Sequence, residues 1–124
     1  MAVAVALTDS GIEVRLTGMD LVWSLRGTVT VPWSDVVGAR VVDAKAARSR
    51  LLLRIGGTGL SGVVKAGRFT VRDEPGVREF WVTYRDPEFL EIETTQERPK
   101  RIVLQVPDRA ELAAAINTRV AGSS

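Results

Sequence analysis

The 124-residue chain contains no cysteine and no histidine. Without thiols there are no disulfide scaffolds, thiolate zinc sites or cysteine nucleophiles, and no redox compartment can be read. Without imidazole there are no Ser-His-Asp triads, histidine acid–base chemistry or histidine-ligated metals. Aromatic residues are scarce at 6%, so the β core claims most of them before a stacking platform can. Long apolar runs are also missing. Met1 to Leu7 is apolar, but it lacks a basic leader and reaches Thr8, Asp9, Ser10 and Gly11 after seven residues. A secretory signal needs a longer apolar stretch, and a membrane-spanning helix needs about 20 apolar residues. The segment reads as a strand and a turn; no transmembrane segment is expected, and the cytoplasm is the expected address.

Hydrophobic residues make up 45% of the chain and charged residues 26%, enough apolar surface to offset the entropy of ordering. At this length one core is expected, so residues 1–124 are read as a single domain. Ile12, Val14 and Leu16 alternate with Glu13, Arg15 and Thr17, the period of a half-buried strand. Thr28 to Val31 is a second β-prone run, ended by Pro32, which cannot donate to a ladder; Val36 to Val42 follows. Ala44 to Gly59 breaks the pattern and is expected to be the longest irregular stretch, with Leu51, Leu52 and Leu53 as a strand fragment or a helical turn. Gly62 to Val71 and Val77 to Tyr84 form the next strands, around a turn at Asp73, Glu74, Pro75 and Gly76. Phe89 to Thr94, with Leu90 and Ile92 inward, and Arg101 to Val106, with Ile102 and Leu104 inward, close the series.

The period then changes. Asp108 and Glu111 form an acidic capping box, and Leu112, Ile116 and Val120 make one stripe of a helix over about residues 108–120, with Gly122 as its C-cap. The expected fold is mainly β: a barrel or sandwich of about seven or eight antiparallel strands capped by one C-terminal α-helix.

The segment Val31, Pro32, Trp33, Ser34, Asp35, Val36 resembles the strand-turn-strand of bacterial pleckstrin-homology-like domains. Gly57, Thr58, Gly59, Leu60, Ser61, Gly62, Val63, Val64, Lys65, Ala66, Gly67, Arg68 and Phe69 are similar to a group of small actinobacterial and archaeal proteins. So are Phe80 and Trp81, then Asp86, Pro87 and Glu88, and the likeness runs from about Ile12 to Val120. It implies two near-orthogonal sheets with a helix at one corner. It implies no catalytic residue, cofactor or metal, and the lipid-binding pattern of eukaryotic relatives is missing from the matching first hairpin.

Charge is unevenly spread. Val37 to Arg72 holds eight bases (Arg40, Lys45, Arg48, Arg50, Arg54, Lys65, Arg68, Arg72) against Asp43 alone, a net +7. Asp73 to Arg98 holds eight acids against three bases, a net −5. Arg48, Arg50, Arg54, Lys65 and Arg68 are therefore the candidate site for a small anion or acidic lipid, on or beside a glycine-rich stretch that lacks the Gly-Lys-Ser/Thr of a phosphate loop. Five such charges at about 1 kcal/mol each give at most a sub-millimolar attachment. Pairing of the basic segment with the acidic one is the stronger reading, and nucleic acid is not the expected partner. Alternation puts Trp81 opposite Phe80, Val82 and Tyr84, beside Glu79 and Thr83, as a candidate exposed protein contact. Glu91 and Glu93 share a strand face, which by default is solvent-facing. The expectation is a non-catalytic binding module with a protein partner or self-association; sensing of an anionic ligand or lipid headgroup is the alternative.

Overall fold

The computed structural model describes residues 2–17, 28–48, 51–56, 59–60, 64–71, 74–83, 87–97 and 99–123. The alternating N-terminal segments form β1 (Ala2–Leu7), β2 (Gly11–Thr17) and β3 (Thr28–Pro32), a three-stranded antiparallel sheet in that order. The second sheet comprises β4 (Val36–Asp43), β5 (Leu51–Gly56), β6 (Gly59–Leu60), β7 (Val64–Val71), β8 (Glu74–Thr83), β9 (Glu88–Thr94) and β10 (Arg101–Leu104). Its order is β4-β9-β10-β8-β7-β5, with β6 also pairing β7. Two helices, α1 (Ala44–Arg48) and α2 (Arg109–Ser123), and a 3-10 turn at Trp33–Asp35 complete the described elements.

The two sheets face each other like a sandwich and do not close into a barrel. Ile12, Val14 and Val31 of the first sheet join Phe80, Val82, Leu90, Ile92, Ile102 and Leu104 of the second in one apolar cluster, closed by Ala113 and Ile116 of α2. Of the predicted helical stripe, Ile116 is fully buried, while Leu112 and Val120 are partly so. The helix is mainly β architecture's single C-terminal cap, as expected, but its ends differ. The Asp108 carbonyl accepts the first helical bond, from Leu112 N–H at 2.9 Å. Gly122 lies within the helix rather than terminating it, and Gly76, at φ 84°, is the positive-φ residue among those described.

Three further expectations are corrected. First, β10 runs parallel to β8, pairing Ile102 with Phe80 and Leu104 with Val82. It lies between β9 and β8, antiparallel to the first and parallel to the second. Second, the stretch from Ala44 is not irregular throughout: it contains α1, and Leu51–Leu53 belong to a strand because β5 pairs with β7. Third, Trp81 is not exposed. It is 0% accessible, because the outer face of β8, β9 and β10 is itself covered by a second cluster of Ala44, Ala47, Phe69, Trp81, Phe89 and Val103. Phe69 and Phe89 meet the indole edge-on, at centroid distances of 6.2 and 5.7 Å.

The first sheet is tied to α2 through Trp33. Its indole N–H donates to the Thr8 carbonyl at 2.7 Å, and the Arg119 guanidinium lies 5.0 Å from the ring centroid. Gly11 is required where β2 crosses β3: a Cβ there would lie 2.1 Å from the Val31 carbonyl oxygen.

Candidate functional site

Two groups of charged side chains lie on the outer face of the second sheet, both placed by register. Glu79 and Arg101 are directly paired across β8 and β10, and Glu93 is opposite Arg101 on the other side. Glu79 is fully buried and accepts two bonds at 2.9 Å, one from the Trp81 indole N–H and one from Arg101 Nη1. Arg101 also donates to Glu74 at 3.2 Å, and Lys100 Nζ lies 3.7 Å from the same carboxylate. The Arg101 hydrogen bond holds the Glu74 carboxyl below its ordinary value against the opposing effect of burial, with Lys100 adding to the lowering. For Arg101, burial acts to weaken the charged form, but bonds to Glu79 and Glu74 outweigh it and raise the guanidinium further. This network locks the positions of β8 and β10, and its charges are spent on one another.

The second group borders a cleft of about 200 Å³ lined by Val37, Gly38, Ala39, Arg40, Glu91, Glu93 and Asn117. The ladder between β4 and β9 shifts register between Val36 and Gly38, so Val37 bulges out and is 50% exposed. The β4 edge beside it is sealed by α2. Asn117 accepts from the Ala39 N–H at 2.8 Å and donates to the Ala39 carbonyl at 2.8 Å, so a single amide stands in for a neighbouring strand. Gly38 suits this approach, because a Cβ there would come within 3.0 Å of the Asn117 oxygen. Arg40, 67% exposed, lies over Glu91, 1% exposed, and bonds it at 2.9 Å. Glu93 is half-buried and has no ion-pair or hydrogen-bond partner among the described residues. The cleft thus presents one unpaired carboxylate, one covered ion pair and an apolar rim.

The sequence-derived candidates fall differently. Arg50 is outside the described residues, as are the side chains of Arg48, Arg54, Lys65 and Arg68; their backbones belong to α1, β5 and β7. The expected pairing of basic with acidic segment is seen at Arg40 and Glu91. Among the described side chains, Lys100, Arg101 and Arg109 also meet the acidic segment, and they come from beyond both. Glu91 and Glu93, read as solvent-facing, line the cleft together. Asn117 and Val37 were missed by sequence reasoning. Arg101 and Glu79 carried a signal, since each immediately precedes an apolar run and their charges are opposite.

Among the described residues no helix is long and apolar enough to cross a membrane. The chain matches no family model, no curated protein and no solved structure.

Proposed function

We propose that the chain is a non-catalytic binding module that docks a segment of a partner protein at the cleft between β4, β9 and α2. The observation that carries this reading is the make-up of that cleft: an exposed valine on a bulge beside a half-buried carboxylate that has no ion-pair or hydrogen-bond partner among the described residues. An apolar rim next to an unpaired acid suits a partner segment carrying a basic side chain with an aliphatic stem. The neighbouring charges are committed to structure: Glu91 under Arg40, and Glu79 between Trp81 and Arg101. A pleckstrin-homology-like ancestry fits a mainly β sandwich with one C-terminal helix packed upon it, and a cytoplasmic location is part of the same proposal.

A photo-crosslinking amino acid in place of Val37, introduced in the native cell, tests this. The expected result is one discrete crosslinked protein whose yield falls at least tenfold when Glu93→Arg is added. An unchanged crosslink in the Glu93→Arg background overturns the cleft as the docking site.

A second reading, capture of an anionic ligand or lipid headgroup, rests on the net +7 between Val37 and Arg72 and on the pairing of β5 with β7, which sets Arg54 opposite Phe69 beside Arg68. Co-sedimentation with vesicles rich in acidic lipid, compared between the wild type and an Arg48→Ala, Arg50→Ala, Arg54→Ala variant, decides it. Equal sedimentation of the two refutes that reading.

A further inference from the structure

The sandwich has outer strands of unequal chemistry, and among the described residues nothing covers the edge of β1. In the β1–β2 hairpin, Thr8 N–H donates to the Gly11 carbonyl at 2.9 Å, which makes residues 8 and 11 a hydrogen-bonded pair. Antiparallel ladders alternate bonded and non-bonded pairs, so Ala6 with Glu13 and Ala4 with Arg15 are bonded, and Val5 with Val14 and Leu7 with Ile12 are not. The N–H and C=O groups of Val3, Val5 and Leu7 therefore point away from β2, out of the sheet edge. Among the described residues nothing pairs with them, since β1 is the outermost strand of its sheet.

Natural edges are blunted by charge, proline, bulges or a covering element. The edge of β4 is plugged by Asn117, and β3 ends in Pro32. β1 reads Ala-Val-Ala-Val-Ala-Leu, with no charge and no proline, and its register against β2 is unbroken. Beside its Leu7 end lies an open groove of about 530 Å³ lined by Leu7, Ala115, Thr118, Arg119 and Gly122.

We propose that β1 pairs antiparallel with β1 of a second copy of this chain, forming a two-fold symmetric dimer in which the two three-stranded sheets become one. The strand itself argues for a second copy as the occupant. Its alternation reads nearly the same in both directions, so antiparallel pairing about Val5 sets Val5 opposite Val5, Ala4 opposite Ala6, and Val3 opposite Leu7. Like therefore meets like with no charge repelled. The pairing satisfies the outward groups of Val3, Val5 and Leu7 on each copy. It also covers the half-buried Val5 and Leu7 and brings the second strand alongside the groove at Leu7. The exposed Ala4 and Ala6 are small enough to leave the outer face of the joined sheet smooth.

Sedimentation equilibrium or light scattering across a concentration series tests the pairing with three proteins. The wild type is expected to shift towards twice its monomer mass. Ala4→Lys with Ala6→Lys sets lysines directly opposite one another across the junction, and its dissociation constant is expected to rise at least tenfold. Ala4→Glu with Ala6→Lys sets each new glutamate opposite a lysine of the other copy and is expected to restore wild-type association. A wild type that stays monomeric at every concentration overturns the proposal. So does a double-lysine variant as dimeric as the wild type, which would place the contact elsewhere. Hydrogen exchange at the Val5 amide of the wild type gives a readout free of substitutions: protection must rise with protein concentration, and concentration-independent exchange is a refutation. Because β1 is remote in chemistry from the Val37 crosslink, either proposal can fail alone.

Discussion

Arg101→Met isolates the contribution of the buried network on β8 and β10. The substitution keeps an unbranched apolar stem and removes the guanidinium, taking the Arg101 charge away from the 0%-accessible Glu79 carboxylate, which keeps its bond from the Trp81 indole. Two opposite charges about 4 Å apart, at an effective dielectric near 20, attract by about 4 kcal/mol. Removing one partner of a buried pair typically costs about 3–5 kcal/mol, because the other is left uncompensated. Glu74 contributes little to the loss, since it is about a third exposed and keeps Lys100 at 3.7 Å. The expected destabilisation is therefore about 3–4 kcal/mol, a large part of the roughly 5–15 kcal/mol that holds a domain folded. For a domain of this size it lowers the melting temperature by roughly 10–20 °C. Urea unfolding followed by tryptophan fluorescence and circular dichroism measures it. Combining Glu79→Gln with Arg101→Met removes the charge that Arg101 had balanced and keeps an amide oxygen for the Trp81 N–H, so the double variant should recover more than half of the loss. A single variant within about 0.5 kcal/mol of the wild type, or a double-mutant cycle with no coupling, refutes the network's role.

Glu74 gives the acid limb of the stability curve a defined sign. Its carboxyl titrates lower in the folded chain than in the unfolded one, chiefly through the Arg101 hydrogen bond, so its stabilisation is complete above the ordinary value near 4.5 and is lost as pH falls through the lowered one. Glu74→Gln should flatten that limb in pH-dependent thermal melts; an unchanged slope below pH 4.5 counts against the pairing. Two glycines should respond in opposite directions. Gly11→Ala puts a methyl 2.1 Å from a backbone oxygen of Val31 and should cost more than about 2 kcal/mol, whereas Gly122→Ala, in α2 with nothing within 4 Å, should gain about 0.5–1 kcal/mol. Equal effects of the two in thermal denaturation contradict the sheet geometry at β2 and β3.

The fold was legible in the sequence wherever a strand has one wet face. Ile12 and Val14 alternate with polar neighbours and are fully buried, and the period-four stripe of α2 does pack inward at Ile116. Alternation failed at Trp81 because it presumes a solvated side, and at Trp81 the sheet is covered on both faces. A different signal was present: Phe80 to Val82 and Ile102 to Leu104 are unbroken apolar runs, the pattern of strands covered on both faces. The insertion of β10 between β8 and β9 left no local trace. Strand order is a long-range property, and no turn residue encodes it.

The cleft was harder to read because its residues look ordinary one by one. Asn117 on a helix reads as a solvated polar residue, yet its amide engages a peptide 78 positions earlier. Arg40 and Glu91 are 51 positions apart and pair only because β4 lies beside β9 in one register. What these placements share is the management of an edge. A bulge at Val37 turns β4 aside, Asn117 occupies its outward hydrogen bonds at Ala39, and Gly38 leaves room for that amide. At Ala39 the second sheet therefore cannot grow across β4, and the cleft left there offers side chains rather than backbone for recognition. At β1 the converse holds: the backbone is the exposed chemistry and the side chains are uncharged and apolar. A side-chain cleft selects its partner by charge and shape, whereas an open edge selects by strand propensity and register, and that difference in recognition is what suits one surface to a foreign segment and the other to a second copy.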